Sequence, residues 1–363
     1  MEFRELDENQ RALLWLSTAE ISSFRVQGFL QKFHTPRALW EAFGQPGSPF
    51  FRDAAAAVLK KMHSEAAMDD YIDSLQKKNV HLLFQEDEFY PECLKAISDP
   101  PYLLYYAGRE ECLRMHKVAI VGNRTSSPYG EEMARLLARG LANANVCVVS
   151  GLARGIDGAA HRGVLEEDGC TIGVLGSGIN VPYPREHQGL LRDIAAGRGL
   201  ILSEWPLNAY PTSYHFPHRN RIISGLSLAT VMVEGRIKSG GMVTVNCALE
   251  QGREVFTVPH MVGRPGSEAP LQLLREGALM VTCAKDILEA LNLPLEAEKG
   301  RPAPDLSPVQ RRIVDHLVPE TKTADELAQV LAMDPGEVSM ELSMMEISGY
   351  VAREPGNRYR SLL

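Results

Sequence analysis

The chain has little cysteine, no long apolar run and a deficit of positive charge. Six cysteines among 363 residues, at Cys93, Cys112, Cys147, Cys170, Cys247 and Cys283, show no metal-ligand spacing, and the expectation is six thiols in a reducing cytoplasm. No stretch approaches the length needed to cross a bilayer, and the acidic, polar opening MEFRELDENQ is not a secretory signal. The expected location is therefore cytoplasmic, with no membrane partner. Lys and Arg number 38 against 46 Asp and Glu, a net charge of −8, so charge alone does not coat the chain with duplex DNA. The G-x-G-x-x-G fingerprint of dinucleotide enzymes is missing after the first strand of the central region.

What is present falls into three blocks. Residues 1–79 read as small helices in a SAM-like domain, with Leu13, Leu14, Leu16, Ile21, Phe24, Phe29, Leu30 and Phe33 at roughly helical spacing. The turn Thr18-Ala19-Glu20-Ile21-Ser22 lacks the glycine of a DNA-gripping helix-hairpin-helix, which favours a structural or protein-contact role. Residues 80–291 begin with strand candidates at 80–84 and 103–106. Short apolar runs at 118–121, 146–149, 171–175, 200–202, 230–233, 255–258 and, more weakly, 279–281 then alternate with helical stretches at 128–143, 155–167, 187–196, 219–226, 243–251 and 271–276. The runs are apolar throughout, so both sheet faces are buried. This predicts an α/β fold, a Rossmann-like, doubly wound, mostly parallel sheet. Residues 292–306, NLPLEAEKGRPAPDL, read as a linker. Residues 307–363 carry three helix starts, at Ser307-Pro308, Thr323-Ala324 and Asp334-Pro335, and two strands about Pro355-Gly356-Asn357, which together predict a winged helix-turn-helix. Its third helix has Glu337, Glu341 and Glu346 and no Lys or Arg, so a protein-contact role is expected there rather than DNA reading.

In a doubly wound sheet, ligands meet the carboxyl ends of the strands. There the sequence places Gly122 and Arg124 after the first run, Ser150, Gly151, Arg154 and Gly155 after the second, and Arg236 and Lys238 after the fifth. The stretch FPHRNR adds Phe216, Arg219, Asn220 and Arg221. Glycines ahead of a helix let backbone amides approach an anion. Arg124, Arg154, Arg219, Arg221, Arg236 and Lys238 thus converge on one edge of an acidic chain, as a phosphate site requires. Arg124, Arg219 and Arg221 are expected to face water as one cluster, with an inward Arg221 paired to Glu204 or Glu234 as the alternative. Phe216 either stacks on a base or packs. Asp157 and His161 lie four apart on a helix and are read as a structural pair.

The blocks VAIVGNRTSSPYG, SGLARGIDGAAH, TIGVLGSGINVPYPREH, FPHRNRIISGLS and VEGRIKSGGMVTVNCALEQGREVFTVP resemble the DprA/Smf family of DNA-processing proteins. The resemblance implies a dimer that binds single-stranded DNA, protects incoming strands in natural transformation and loads the recombinase RecA, without cofactor, metal or catalysis. It places DNA contacts on Gly122, Arg124, Phe216, Arg219 and Arg221. The chain departs from the family at Asn123, His187, His260 and 267–271. Two other readings remain. Gly240-Gly241-Met242-Val243-Thr244 resembles a block of the LOG-type nucleotide phosphoribohydrolases, but their catalytic glutamate falls on Cys247. A non-DNA interaction scaffold is the other.

Overall fold

The computed structural model describes residues 5–46, 51, 53–294, 306–348 and 350–362; most of the expected linker lies outside them. Contacts divide the chain into Met1–Ala297 and Glu298–Leu363.

The first unit opens with helices α1 (Glu8–Thr18), α2 (Ser23–Phe33), α3 (Pro36–Ala42), α4 (Asp53–Met62) and α5 (Glu65–Lys77). Asp7 starts α1 with a capping box, its carboxylate accepting from the Gln10 amide. Strands β1 (His81–Phe84) and β2 (Leu103–Gly108) follow, with the short helix α6 (Glu92–Lys95) between them. The alternating region then runs β3 (Lys117–Val121), α7 (Pro128–Asn143), β4 (Cys147–Ser150), α8 (Ile156–Glu166), β5 (Thr171–Val174), α9 (Gln188–Asp193) and β6 (Leu200–Ser203). It continues through α10 (His215–Gly225), β7 (Ala229–Met232), α11 (Gly240–Glu250), β8 (Glu254–Thr257), α12 (Glu268–Arg275), β9 (Leu279–Met280) and α13 (Ala284–Ala290).

The sheet order is β1-β2-β6-β5-β4-β3-β7-β8-β9. Strands β6 through β9 along this order are parallel, and β2 joins β6 antiparallel. The chain winds outwards from β3 to β6, then returns to the other side of β3 for β7. The crevice between β3 and β7 is the topological switch point.

Both sheet faces are covered. Ala119 and Val121 of β3 pack with Ile222, Ile223, Met242, Val245 and Leu273 of α10, α11 and α12. Their neighbours Val118 and Ile120 point the other way, against Leu137, Leu141, Ile156, Val164 and Ile287 of α7, α8 and α13. This alternation explains why the strands read as continuous apolar runs. Each buried Val, Leu or Ile contributes about 1.5–3 kcal/mol.

The N-terminal helices share a core with the sheet edge, where Trp15, Leu16, Leu39 and Leu75 pack with Phe84, Leu103 and Tyr105. Ser17 Oγ lies 2.5 Å from the Tyr105 hydroxyl, and Trp15 Nε1 donates to the Leu59 carbonyl at 2.9 Å.

The cysteine expectation needs correction. Cys112, just before β3, and Cys170, just before β5, form a disulfide. Cys93, Cys147, Cys247 and Cys283 are free. Residues 58 apart in sequence meet because β3 and β5, which flank β4 in the parallel sheet, start at the same edge, which spacing alone does not reveal.

The second unit is a small three-helix domain of α14 (Pro308–Leu317), α15 (Ala324–Leu331) and α16 (Pro335–Ile347), with β10 (Lys322–Thr323), β11 (Val351–Glu354) and β12 (Arg358–Ser361) in the order β10-β12-β11. Ser307, Thr323 and Asp334 cap the three helices through their side-chain oxygens.

Trp15 ties two layers together and has no exposed surface. Trp15→Ala should destabilise the first unit by roughly 3–5 kcal/mol in urea denaturation followed by far-ultraviolet dichroism. A loss below about 1 kcal/mol would mean that the helices and the sheet do not share this core.

Candidate nucleic-acid interface

A cleft of about 800 Å³ opens at the switch point. The loop after β3 (Gly122, Asn123, Arg124, Thr125) forms one wall, the start of α10 (Phe216, Arg219, Asn220) another, and the loop from β7 to α11 (Glu234, Arg236, Lys238, Gly240) a third.

The walls are held by two buried carboxylates. Glu234, at the end of β7, accepts from the Ser127 amide at 3.1 and 3.2 Å and from the Ser127 hydroxyl at 2.5 Å. Ser127 Oγ in turn accepts from the Gly130 amide, capping α7. Glu234 therefore locks the loop after β3 to the neighbouring strand. Asp157, in the first turn of α8, accepts from the amides of Gly151 and Ala153 at 3.1 and 3.3 Å. Burial raises its pKa, while Arg219 and these amides oppose the shift. The loop 151–155 thus carries its own anion, and two of the amides expected to receive a ligand are already engaged. Ser150 is spent on the sheet, its hydroxyl donating to the Ile120 carbonyl at 2.6 Å. Gly155 begins α8 with φ of 70°. By contrast, the amides of Arg124 and Thr125, at the rim, make no hydrogen bond among the described residues.

The arginines of FPHRNR do not face water, which overturns the expected solvent-facing cluster. Arg219 is buried and donates to the carbonyls of Gly151, at 2.8 Å, and of Val174, at the ends of β4 and β5. Burial lowers its pKa to about 10, with Asp157 opposing and Arg124 adding to the fall. A Cβ on residue 151 would stand 2.6 Å from Arg219 Cζ, so glycine is needed there for close approach. Asn220 is also buried, accepting from Arg219 Nε at 3.0 Å and donating to the Gly240 carbonyl at 3.2 Å. Arg221 turns to the other side of α10 and is paired with Asp99 at 3.1 Å and Glu204 at 2.7 Å. Glu204 is one of the two partners the sequence offers as the alternative; Asp99, in a distant turn, is not signalled by the sequence. The physical reason for the separation is helical geometry, since residues two apart on a helix do not share a face.

The exposed cations lining the cleft are Arg124, Arg236 and Lys238. The lining carboxylates, Asp157 and Glu234, are both buried. Arg154 is exposed but paired with Glu186 outside this lining. The Arg124 guanidinium lies 5.4 Å from the centre of the half-buried Phe216 ring. Tyr183, 42% exposed, packs tilted against the same ring, with centroids 5.1 Å apart. Phe216 rests over Gly176, where a Cβ would come within 2.7 Å of its Cδ1. Tyr183 is not among the residues expected at the site from sequence; its meeting with Phe216 depends on contact between separate loops.

The pair read from sequence at Asp157 and His161 divides between two partners. His161 is buried and shares a 2.7 Å hydrogen bond with Thr171 Oγ1, while Asp157 holds the loop. His260, a departure from the family pattern, bonds through Nε2 to the Val233 carbonyl at 2.7 Å and packs edge-on against Tyr129.

Residues 81–292 match the model of the DNA recombination-mediator protein A family, and residues 297–357 match that of the DprA winged helix domain. The chain belongs to the DprA/Smf family. It is 40% identical over 294 residues to protein Smf of Escherichia coli, covering 79% of each chain. It is 42% identical over 203 residues to DNA processing protein DprA of Bacillus subtilis, covering 56% of this chain and 68% of the relative. The solved DprA of Streptococcus pneumoniae aligns with a TM-score of 0.67 at 30% identity, over 79% of this chain and 98% of that one. That of Helicobacter pylori aligns with a TM-score of 0.53 at 29% identity, over 59% and 95%. Family membership, the mostly parallel sheet and the winged helix agree with the sequence reading.

Two outcomes follow from this geometry. Arg221→Ala leaves Glu204 and Asp99 without their cation and should cost roughly 3–5 kcal/mol in urea denaturation; a change under about 1 kcal/mol would show the pair is not structural. Burial pushes the His161 pKa down to about 3, with neighbouring cations adding to it. The unfolded imidazole, near 6.5, binds a proton that the folded one refuses, so the neutral ring's contribution to stability is fully present above about pH 6.5 and is lost as pH falls towards 3. Between pH 6 and 4 the parent should lose up to about 1.4 kcal/mol per pH unit more than His161→Gln, read from urea midpoints.

Proposed function

We propose that this chain is a single-stranded DNA-binding recombination mediator that works in the cytoplasm as a homodimer and loads the recombinase RecA onto the strand it holds. The observation that carries the DNA reading is the rim of the switch-point cleft. Three exposed cations stand beside an aromatic pair, and the carboxylates lining the cleft among the described residues, Asp157 and Glu234, are buried. Cations track a phosphate backbone, and rings offer stacking surface to unpaired bases. A duplex keeps its bases stacked on each other and gains nothing from Phe216 and Tyr183. The Helicobacter pylori relative was solved with its single-stranded DNA binding mode as the subject, which supports the same reading here.

Gly122, Arg124, Phe216, Arg236 and Lys238 form the direct contact set in this proposal. Arg219, Asn220, Ser150, Gly151 and Gly155 shape the wall behind it, and Arg221 fixes α10. Arg154 reaches a strand only by leaving Glu186. A hydrolase lacks a suitable acid. The lining carboxylates are bonded to backbone amides, and Cys247, at the hydrolase glutamate's position, is a thiol whose pKa is raised by burial.

Fluorescence anisotropy with single-stranded and duplex oligonucleotides over a salt series tests this. With three phosphates neutralised, log affinity for the single strand should fall with log salt at a slope of about −2. Arg124→Ala should weaken binding about tenfold and make the slope shallower by about 0.7. Phe216→Leu should weaken binding by roughly 1–3 kcal/mol with the slope unchanged. Equal affinity for single strand and duplex would overturn the reading. Light scattering with and without RecA tests the two assembly claims separately.

A further inference from the structure

The third helix of the winged domain is the one that enters the major groove in DNA-reading members of this architecture. Here α16 buries Val338, Leu342 and Met345 against its own domain. The opposite face presents Met340, Met344 and Ile347, which are 63%, 56% and 83% exposed. Their spacing of four and three residues makes them one contiguous stripe along the helix. Scattered exposed apolar residues need no explanation, but an uninterrupted stripe on a recognition helix does.

The surroundings decide what fits it. Glu337 and Glu341 border the stripe on one side, and α16 has no Lys or Arg. Residues 307–363 hold six Lys and Arg against nine Asp and Glu, a net charge of −3. The cations of the wing are engaged within the domain: Arg353 with Asn357, Arg358 with Thr321 and Glu326, and Arg360 with Glu354. A phosphate backbone would meet carboxylates and methionine here. A partner must instead bring apolar side chains at helical spacing and positive flanks. Methionine is suited to such a surface, because its flexible, polarisable side chain adapts to the groups laid against it.

We propose that the Met340–Met344–Ile347 face of α16 is a protein-docking surface that takes an amphipathic helical segment with an apolar face and Lys or Arg beside it. The partner's apolar residues cover the stripe, and its cations pair with Glu337 and Glu341. The winged domain is then a protein-recognition module within a DNA-binding chain.

The test uses the full chain and a fluorescein-labelled 18-residue peptide of leucine and lysine only, with the leucines on one helical face. The expected result is saturable binding that shifts the Met340 and Met344 ε-methyl resonances in methionine-labelled protein. The double variant Met344→Ser with Ile347→Ser keeps every charge and should bind at least about tenfold more weakly; Met340→Ser serves if that variant does not fold. Undiminished binding by the variants overturns the proposal, because attraction to a generally acidic protein would then suffice. It is equally overturned if a leucine–glutamate peptide binds as well, if duplex DNA shifts the same resonances, or if light scattering shows that the parent buries the stripe in a dimer which the variant loses.

Discussion

Strands that end at the edge of a parallel sheet leave carbonyl oxygens pointing out of the sheet, and a cleft built there must satisfy them or stay wet. At the ends of β4 and β5 the carbonyls of Gly151 and Val174 are met by one buried guanidinium, that of Arg219. A buried cation needs compensation, and Asp157, pinned by the Gly151 and Ala153 amides, supplies it from the first turn of α8. The orientation of α10, and hence of Phe216 and the whole cleft wall, depends on this arrangement. Glu234 does the corresponding work on the other side of the switch point, where its carboxylate holds the loop carrying Arg124.

This separates the charged residues of the site into two kinds. Arg219, Arg221, Asp157 and Glu234 are buried and Glu204 is half-buried; each is bonded to carbonyls, amides or an opposite charge, and they set positions. Arg124, Arg236 and Lys238 remain in water with their charge available. An exposed cation without an ion pair keeps its attraction for an anion, whereas a buried one has already spent its hydrogen bonds on carbonyls or carboxylates. The same residue type therefore has opposite meaning at positions a few ångströms apart, and burial decides which applies.

Much of the fold was legible because it rests on local or periodic signals. Two-sided burial writes itself as unbroken apolar strands, and Ser127-Pro128, Ser307-Pro308 and Asp334-Pro335 mark helix starts through their own capping chemistry. The position of the cleft, at the carboxyl ends of the strands, follows from the sheet type. What was not legible is non-local. The direction in which Arg219 points depends on which loop ends beneath it. Asp99 reaches Arg221 from a turn 122 residues away. Tyr183 meets Phe216, and Cys112 meets Cys170, only after the strands have been ordered. One part of the arginine arrangement is local: Arg219 and Arg221, two apart on a helix, cannot share a face.

The winged domain follows the same logic from the opposite direction. Its caps and apolar spacing specify the architecture fully, yet the architecture does not specify a ligand. A recognition helix reads DNA only if its outward face offers donors and positive charge, and α16 offers thioethers, an isoleucine and carboxylates instead. Within one chain, then, the unit that carries exposed cations and rings has the chemistry for nucleic acid, and the unit with the DNA-reading fold has the chemistry for protein. The side chains on the outward face, rather than the fold that presents them, determine which macromolecule each unit can hold.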